Sequence, residues 1–312
     1  MEKIIIIDNL VKNYGKVTAV SGLNMEVNEG ELFGLVGPDG AGKTTLVRTL
    51  CGILKNDSGS FSVFGLDGKK DRDKIKQRIG YLSQKFSLYG DLTIDENIKF
   101  FAKIHNIKDF RDKKKILLER MGIEKFSGRL AERLSGGMKQ KLALACTLIH
   151  SPEILFLDEP TTGVDPVSRR EFWQILAGLK KEGITIFVTT PYLDEAERCD
   201  RVAFMYDGSI LECNYPGAVK DSFDKEVVEI VCSPLHDVFK FLNGIEDIEN
   251  IQSFGDRIHV VIDEKKISAE ILKNRILEKG FQILDFRTIS PSLEDIFLIK
   301  LKETAGEKDN EV

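Results

Sequence analysis

The stretch ELFGLVGPDGAGKTT, residues 31–45, constrains this chain more than any other. LFGLV is a short apolar run closed by glycine, which reads as a buried strand, and KTTLV opens a helix. Between them, GPDGAGKTT matches the spacing GxxxxGK[ST] in the strand–loop–helix setting that the motif requires. A helix amino terminus leaves backbone N–H groups without intrahelical partners at the positive end of the helix dipole. Gly40 and Gly42 allow close backbone approach to an anion. Lys43 reaches terminal phosphates, and the Thr44 hydroxyl can ligate Mg²⁺. The loop Gly37, Pro38, Asp39, Gly40, Ala41, Gly42, Lys43, Thr44 and Thr45 is therefore the expected phosphate cradle.

A second stretch fits the first. In ILFLDEP, 154–160, four apolar residues deliver Asp158 and Glu159 to a strand end. Asp158 suits a contact to magnesium through water. Glu159 suits a general base for an attacking water. Acidic residues at strand ends are common alone; beside a phosphate loop they predict binding of a nucleoside triphosphate.

The remaining pattern predicts an α/β fold. Strand-like runs at 3–10, 18–27, 31–36, 59–64, 79–83, 154–157, 185–189, 202–206 and 209–212 alternate with helices at 43–51, 138–149 and 167–181. Such alternation implies a parallel sheet covered on both faces. Residues 92–150 read as a largely helical insertion, with Thr93, Asp95 and Glu96 marking a helix start. From Glu226 the order changes to strand, helix, two strands, helix, strand, helix, a small α+β unit. The expected domains are 1–220 and 221–302, followed by a frayed polar tail, 303–312.

Composition removes several classes. The 42% hydrophobic and 30% charged content excludes a disordered or fibrous chain. No apolar run approaches the roughly 20 residues that span a bilayer, and the opening MEKIIIID is too short for a signal peptide. Five cysteines lie far apart without a CxxC pair, which suggests reduced thiols. A net charge of −5 argues against a nucleic-acid partner. The basic stretch GKKDRDKIKQR, 68–78, is interleaved with aspartates and reads as solvated surface.

LSGGMKQKLALA at 134–145 adds a third motif between the other two. With it the chain resembles the ATP-binding subunits of ABC transporters, over about residues 4–215. The resemblance implies a P-loop NTPase with a parallel-sheet core, an antiparallel β piece and a helical subdomain. It implies that Tyr14 stacks on adenine, and that Gln84, in YLSQ, contacts Mg²⁺ and senses a permease. Ser135, Gly136 and Gly137 would bind the γ-phosphate of the opposite subunit's ATP, with Asp165 of TTGVDP at the dimer seam. Catalysis would then rest on Glu159 and Gln84, and the metal on Thr44 and Gln84. The implied working unit is a head-to-tail dimer, identical or paired with a homologue. Two ATPs lie at its interface, and it attaches to a separate membrane permease at the cytoplasmic face. A Ser-Gly-Gly turn before a helix is, physically, a second anion site. The ending SPSLEDIFLIKL and the stretch SLYGDLTIDENIKFFA (87–102) resemble the ATPases of drug or natural-product exporters.

One residue departs from the pattern. The family motif TTHxxxEAE aligns without a gap to TTPYLDEAE, 189–197, and puts Pro191 where histidine contacts the γ-phosphate. His105, His150, His236 and His259 are the only histidines, and none is placed to substitute. Either the Thr189 or Thr190 hydroxyl takes over, or the site binds ATP and hydrolyses it slowly. Two other functions stay open: an ATP-gated structural subunit paired with a complete ATPase, or a soluble ABC ATPase outside transport. The latter usually has two cassettes or a coiled-coil insertion, and neither is visible here.

Overall fold

The computed structural model describes residues 2–85 and 88–310, with side chains described as far as 304; Ser87 and the last two tail residues lie outside the described residues. The chain divides into two compact units, 1–213 and 214–312.

The first unit begins β1 (Lys3–Tyr14), β2 (Val17–Asn28), β3 (Leu32–Val36), α1 (Lys43–Leu50), β4 (Ser58–Val63), β5 (Leu66–Asp67), α2 (Arg72–Arg78), β6 (Ile79–Leu82). It continues α3 (Ile94–Ile104), α4 (Arg111–Met121), α5 (Gly136–Leu148), β7 (Ile154–Asp158), α6 (Pro166–Lys181), β8 (Thr185–Thr190), α7 (Leu193–Ala196), β9 (Arg201–Tyr206), β10 (Ser209–Asn214). A six-stranded sheet has the order β10-β9-β3-β8-β7-β6, with the strands from β9 to β6 parallel. Every residue of β3, β7 and β8 is buried, which is why these strands read as runs of apolar and β-branched residues rather than alternating ones. Phe187 packs against both Phe33 and Phe156, at 5.3 and 5.6 Å between ring centroids. The register sets Val36 beside Thr190 and Asp158 beside Thr189. It thereby brings the phosphate loop, the paired carboxylates and the segment holding Pro191 to the carboxyl edge of one sheet. Ligands of open parallel sheets lie at that edge. A separate antiparallel sheet has the order β2-β1-β4-β5.

The helical insertion starts with a reciprocal cap: Thr93 accepts from Glu96 N–H while the Glu96 carboxylate accepts from Thr93 N–H. Fully buried Asn97 then pins the incoming loop. Its amide donates to the carbonyls of Tyr89, Leu92 and Thr93, and its oxygen accepts from Tyr89 N–H.

The second unit contains α8 (Pro216–Asp221), β11 (Glu226–Ser233), α9 (Leu235–Leu242), β12 (Ile248–Phe254), β13 (Arg257–Ile262), α10 (Ala269–Glu278), β14 (Gln282–Ile289), α11 (Leu293–Asn310). Its sheet is antiparallel in the order β12-β13-β11-β14. One core gathers Val228, Ile230, Val238, Ile258 and Leu272; a smaller one joins Val227 and Val261 to Ile299 of α11. His259 lies between Asp295 (3.3 Å) and Glu229 (3.5 Å) and is raised above its ordinary pKa, chiefly by the Asp295 hydrogen bond.

Two boundaries differ from the sequence reading. The division falls at 213/214 rather than 220/221, because α8 buries Val219 and packs with α11 inside the second unit. The polar tail expected from 303 is instead the last part of α11, whose Lys, Glu and Ala residues are good helix formers. Among the described residues no helix is long and apolar enough to cross a membrane.

Asn97→Ala should strand the groups it satisfies and destabilise the first unit by about 2 kcal/mol. Thermal denaturation should show a melting point lower by several degrees; an unchanged one would contradict the role given to this amide.

Candidate nucleotide site

The phosphate loop is shaped by two different demands on glycine. Gly42 caps α1 at φ +106°, and a Cβ there would come within 2.1 Å of the Ala19 carbonyl oxygen. Gly40, at φ +82°, faces open space instead, so its missing side chain leaves room beside the loop. Lys43 follows and is almost wholly buried. Its ammonium donates to the carbonyls of Gly37 (2.8 Å) and Pro38 (2.9 Å) and pairs with Glu159 Oε1 at 3.2 Å. A phosphate approaching this ammonium competes with the Glu159 carboxylate for the same charge.

Around that pair the expected polar residues converge. Thr44 Oγ1 donates to Asp158 Oδ1 at 2.9 Å. Gln84 Nε2 donates to Glu159 Oε2 at 2.8 Å, and Thr162 Oγ1 reaches the same oxygen at 3.4 Å. Glu159 has a left-handed backbone, φ +49°, a conformation that costs a non-glycine residue on the order of 1 kcal/mol. Thr189 holds it there: its hydroxyl accepts from Glu159 N–H at 3.0 Å and donates to Asp158 Oδ1 at 3.0 Å. The Thr189 carbonyl also accepts from Glu159 N–H, at 3.1 Å. The Tyr81 hydroxyl adds a long contact to Asp158 Oδ2, 3.4 Å, and burial pushes its pKa up to about 12. Tyr81 stays protonated and can donate throughout the physiological range.

The two threonine hydroxyls that precede Pro191 are both engaged by other groups. Thr189 is committed as described. The Thr190 hydroxyl donates to Glu195 Oε2 at 2.7 Å and accepts from Tyr192 N–H at 3.1 Å. Both threonines are completely buried. His150 contacts the Ile79 carbonyl at the opposite end of β6, where its ring stacks on His105 with centroids 4.0 Å apart.

The remaining expected residues stand apart from this cluster. Ser135 caps α5 by accepting from Met138 N–H at 3.3 Å. A Cβ on Gly137 would fall 2.3 Å from Ser168 Oγ, so glycine there lets the amino ends of α5 and α6 close on each other, a packing reason that the motif did not reveal. Asp165 caps α6, accepting from the N–H groups of Val167 and Ser168. The Ser168 bond is the main cause of its lowered pKa. Among the described residues, no hydrogen bond or ion pair joins Ser135, Gly136, Gly137 or Asp165 to Lys43, Asp158 or Glu159. Tyr14 is half exposed, with the Lys12 ammonium 5.6 Å from its ring centroid.

The donors suit a magnesium-bound nucleotide. Thr44, Asp158 and the amide oxygen of Gln84 are hard oxygen ligands, while no group of three or more His, Cys, Asp or Glu among the described residues could hold a metal without help. Magnesium is normally held in this way, by one or two protein oxygens together with substrate phosphates.

A parallel α/β sheet with this loop and these carboxylates at its carboxyl edge defines a P-loop nucleoside triphosphatase. A family described as ABC transporter matches residues 20–162, and one described as ATP-binding protein DrrA1-3-like, C-terminal domain, matches 216–301. The daunorubicin/doxorubicin resistance ATP-binding protein DrrA of Streptomyces peucetius is 33% identical over 315 residues, covering 97% of this chain and 93% of that protein. The linearmycin resistance ATP-binding protein LnrL of Bacillus subtilis is 30% identical, with 93% and 96% covered. The probable multidrug ABC transporter ATP-binding protein YbhF of Escherichia coli is 42% identical over 70% of this chain, but the chain spans only 38% of its length. Among solved structures, a nucleotide-free ATP-binding cassette of an ABC transporter superposes with a TM-score of 0.64 at 25% identity, covering 70% of this chain and 94% of that one. A dimeric cassette in a post-hydrolysis state bound to ADP and Pi gives 0.62 at 25% identity, with 68% and 98% covered. The chain belongs to the ATP-binding proteins of the ABC transporter family.

Lys43→Ala removes the one ammonium at the loop and should raise the Kd for Mg-ATP by tenfold or more in calorimetry. Unchanged affinity would refute the placement of the phosphates.

Proposed function

We propose that this chain is the ATP-binding subunit of an exporter. In this reading it couples ATP binding and hydrolysis, at a head-to-tail dimer interface, to movement of a substrate through a separate membrane permease. The observation that carries the reading is the joined network Lys43–Glu159–Gln84 and Thr44–Asp158–Thr189 at the carboxyl edge of the parallel sheet. The drug- and antibiotic-resistance names of relatives similar over more than nine-tenths of this chain support export as the direction. The subunit is peripheral, at the cytoplasmic face, and reaches the membrane through the permease.

In this reading the 37–45 loop and Lys43 hold the phosphates, while Thr44 and Gln84 hold the magnesium. Asp158 orients Thr44. Tyr14 supports the base. The bound metal supplies charge neutralisation on the phosphates. Glu159 accepts the proton of the attacking water once Lys43 has exchanged its carboxylate for phosphate, and Gln84 keeps that carboxylate oriented. Ser135, Gly136 and Gly137 serve the nucleotide of the opposite subunit, across the seam that includes Asp165.

Pro191 weakens the chemistry more than the binding. It offers no side-chain donor or acceptor, and the hydroxyls of Thr189 and Thr190 are already engaged by Asp158 and Glu195. Losing one preorganised polar group at a reacting centre costs about 10²–10³ in rate. The same observation favours a second reading, in which this chain pairs with a complete ATPase and contributes chiefly its Ser135–Gly137 turn.

Pro191→His should raise the kcat of the purified homodimer about tenfold or more, at roughly 1.4 kcal/mol per decade. Brisk wild-type turnover with no gain in Pro191→His would contradict the weakened site. For a mixed complex, Ser135→Arg in this chain should abolish ATPase activity while Glu159→Gln barely changes it. The reverse pattern would rule out the second reading.

A further inference from the structure

One buried carboxylate takes no part in the roles above. Glu195, in α7, is 2% exposed, and its oxygens are fully engaged. They accept from Thr161 Oγ1 at 2.7 and 2.9 Å, from Thr190 Oγ1 at 2.7 Å and from Arg169 Nε at 2.9 Å. The three partners come from three separate places: the loop after β7, the end of β8, and α6. Each is one short step from the nucleotide site. Thr161 lies two residues beyond Glu159. Thr190 adjoins Thr189, whose hydroxyl bonds both Asp158 and Glu159 N–H. Arg169 follows Ser168, the residue against which Gly137 packs.

The same network encloses position 191. The Arg169 guanidinium lies over the Tyr192 ring, 4.2 Å from its centroid, and Tyr192 N–H donates to the Thr190 hydroxyl. Both neighbours of Pro191 are thus fixed by side chains that meet at Glu195. A buried ion pair is weak evidence for stability, since apolar residues of similar volume fill such a space at least as well. Hydrogen bonds add direction: they fix the rotamers of two threonines and the position of α6 together.

We propose that Glu195 is a positioning residue for ATP hydrolysis, fixing the Thr190–Tyr192 segment relative to Glu159 and to the amino end of α6. The role rests on the hydrolytic function given above. With proline at 191 no side chain there can be oriented by a phosphate, so the segment takes its position from within, through Glu195. A misplacement of about 1 Å at such a site can cost 10²-fold in rate.

The test is steady-state hydrolysis of radiolabelled ATP by the full-length chain, at a temperature where melting curves show each variant folded. Glu195→Gln keeps the shape, and Arg169 retains Asp194 as a counter-charge at 3.5 Å. It should lower kcat tenfold or more with KM for ATP within twofold. Thr161→Val, which leaves the Glu195–Arg169 pair in place, should lower kcat in the same way. Thr161→Ser, which keeps the hydroxyl, should restore it to within twofold of wild type. Unchanged kcat in Glu195→Gln and Thr161→Val, or losses that merely follow the folded fraction, would overturn the proposal. A folded wild-type chain with no Mg-ATPase activity would instead remove the hydrolytic function, and this role with it.

Discussion

The parallel register of β3, β8 and β7 is the constraint on which the rest of the structure depends. Because Val36 lies beside Thr190 and Asp158 beside Thr189, three chain segments leave the sheet at one level. Their polar groups then have little choice of partner. Lys43 meets Glu159, Thr44 meets Asp158, and Thr189 ties both carboxylate residues to the strand next door. The central strands can supply this precision because they are buried on both faces and packed with phenylalanine rings.

The charges at the site are paired with one another. The buried ammonium of Lys43 has a carboxylate and two carbonyls as partners, and Glu159 has Lys43 and Gln84. In the function proposed above, phosphate recognition exchanges the partners of Lys43, and the exchange frees Glu159 beside Gln84. Position 191 is the exception. Its neighbours are tightly held while it contributes no polar side chain, and the proposed function reads this as a site that binds better than it turns over.

Much of this architecture was legible in the sequence, and the physical reasons are specific. The loop 37–45 announces itself because phosphate binding demands fixed residue types at fixed spacing. ILFLDEP and ITIFVTT announce themselves because a strand buried on both faces is built mainly of apolar and β-branched residues. The α/β fold follows from their alternation with helices. The second unit was legible as well, since its strands and helices switch period cleanly from Glu226 onward. What stayed hidden depends on pairs distant in sequence. Glu195 carried no distinct signal beyond its place in TTPYLDEAE, because its partners Thr161 and Arg169 lie 34 and 26 residues upstream. Gly137 read as an anion-binding turn alone, since Ser168 is what gives it a packing role. The boundary slipped by one short helix, as α8 has the composition of a linker but packs with α11 in the second unit.

The central claim is that this site holds ATP well and cleaves it poorly. Its most direct test is the identity of the nucleotide retained after the purified protein is mixed with Mg-ATP, passed rapidly through a desalting column, and acid-quenched at intervals. The account predicts that the retained nucleotide is predominantly ATP and stays so over many minutes. Retention of ADP from the earliest time point would contradict it.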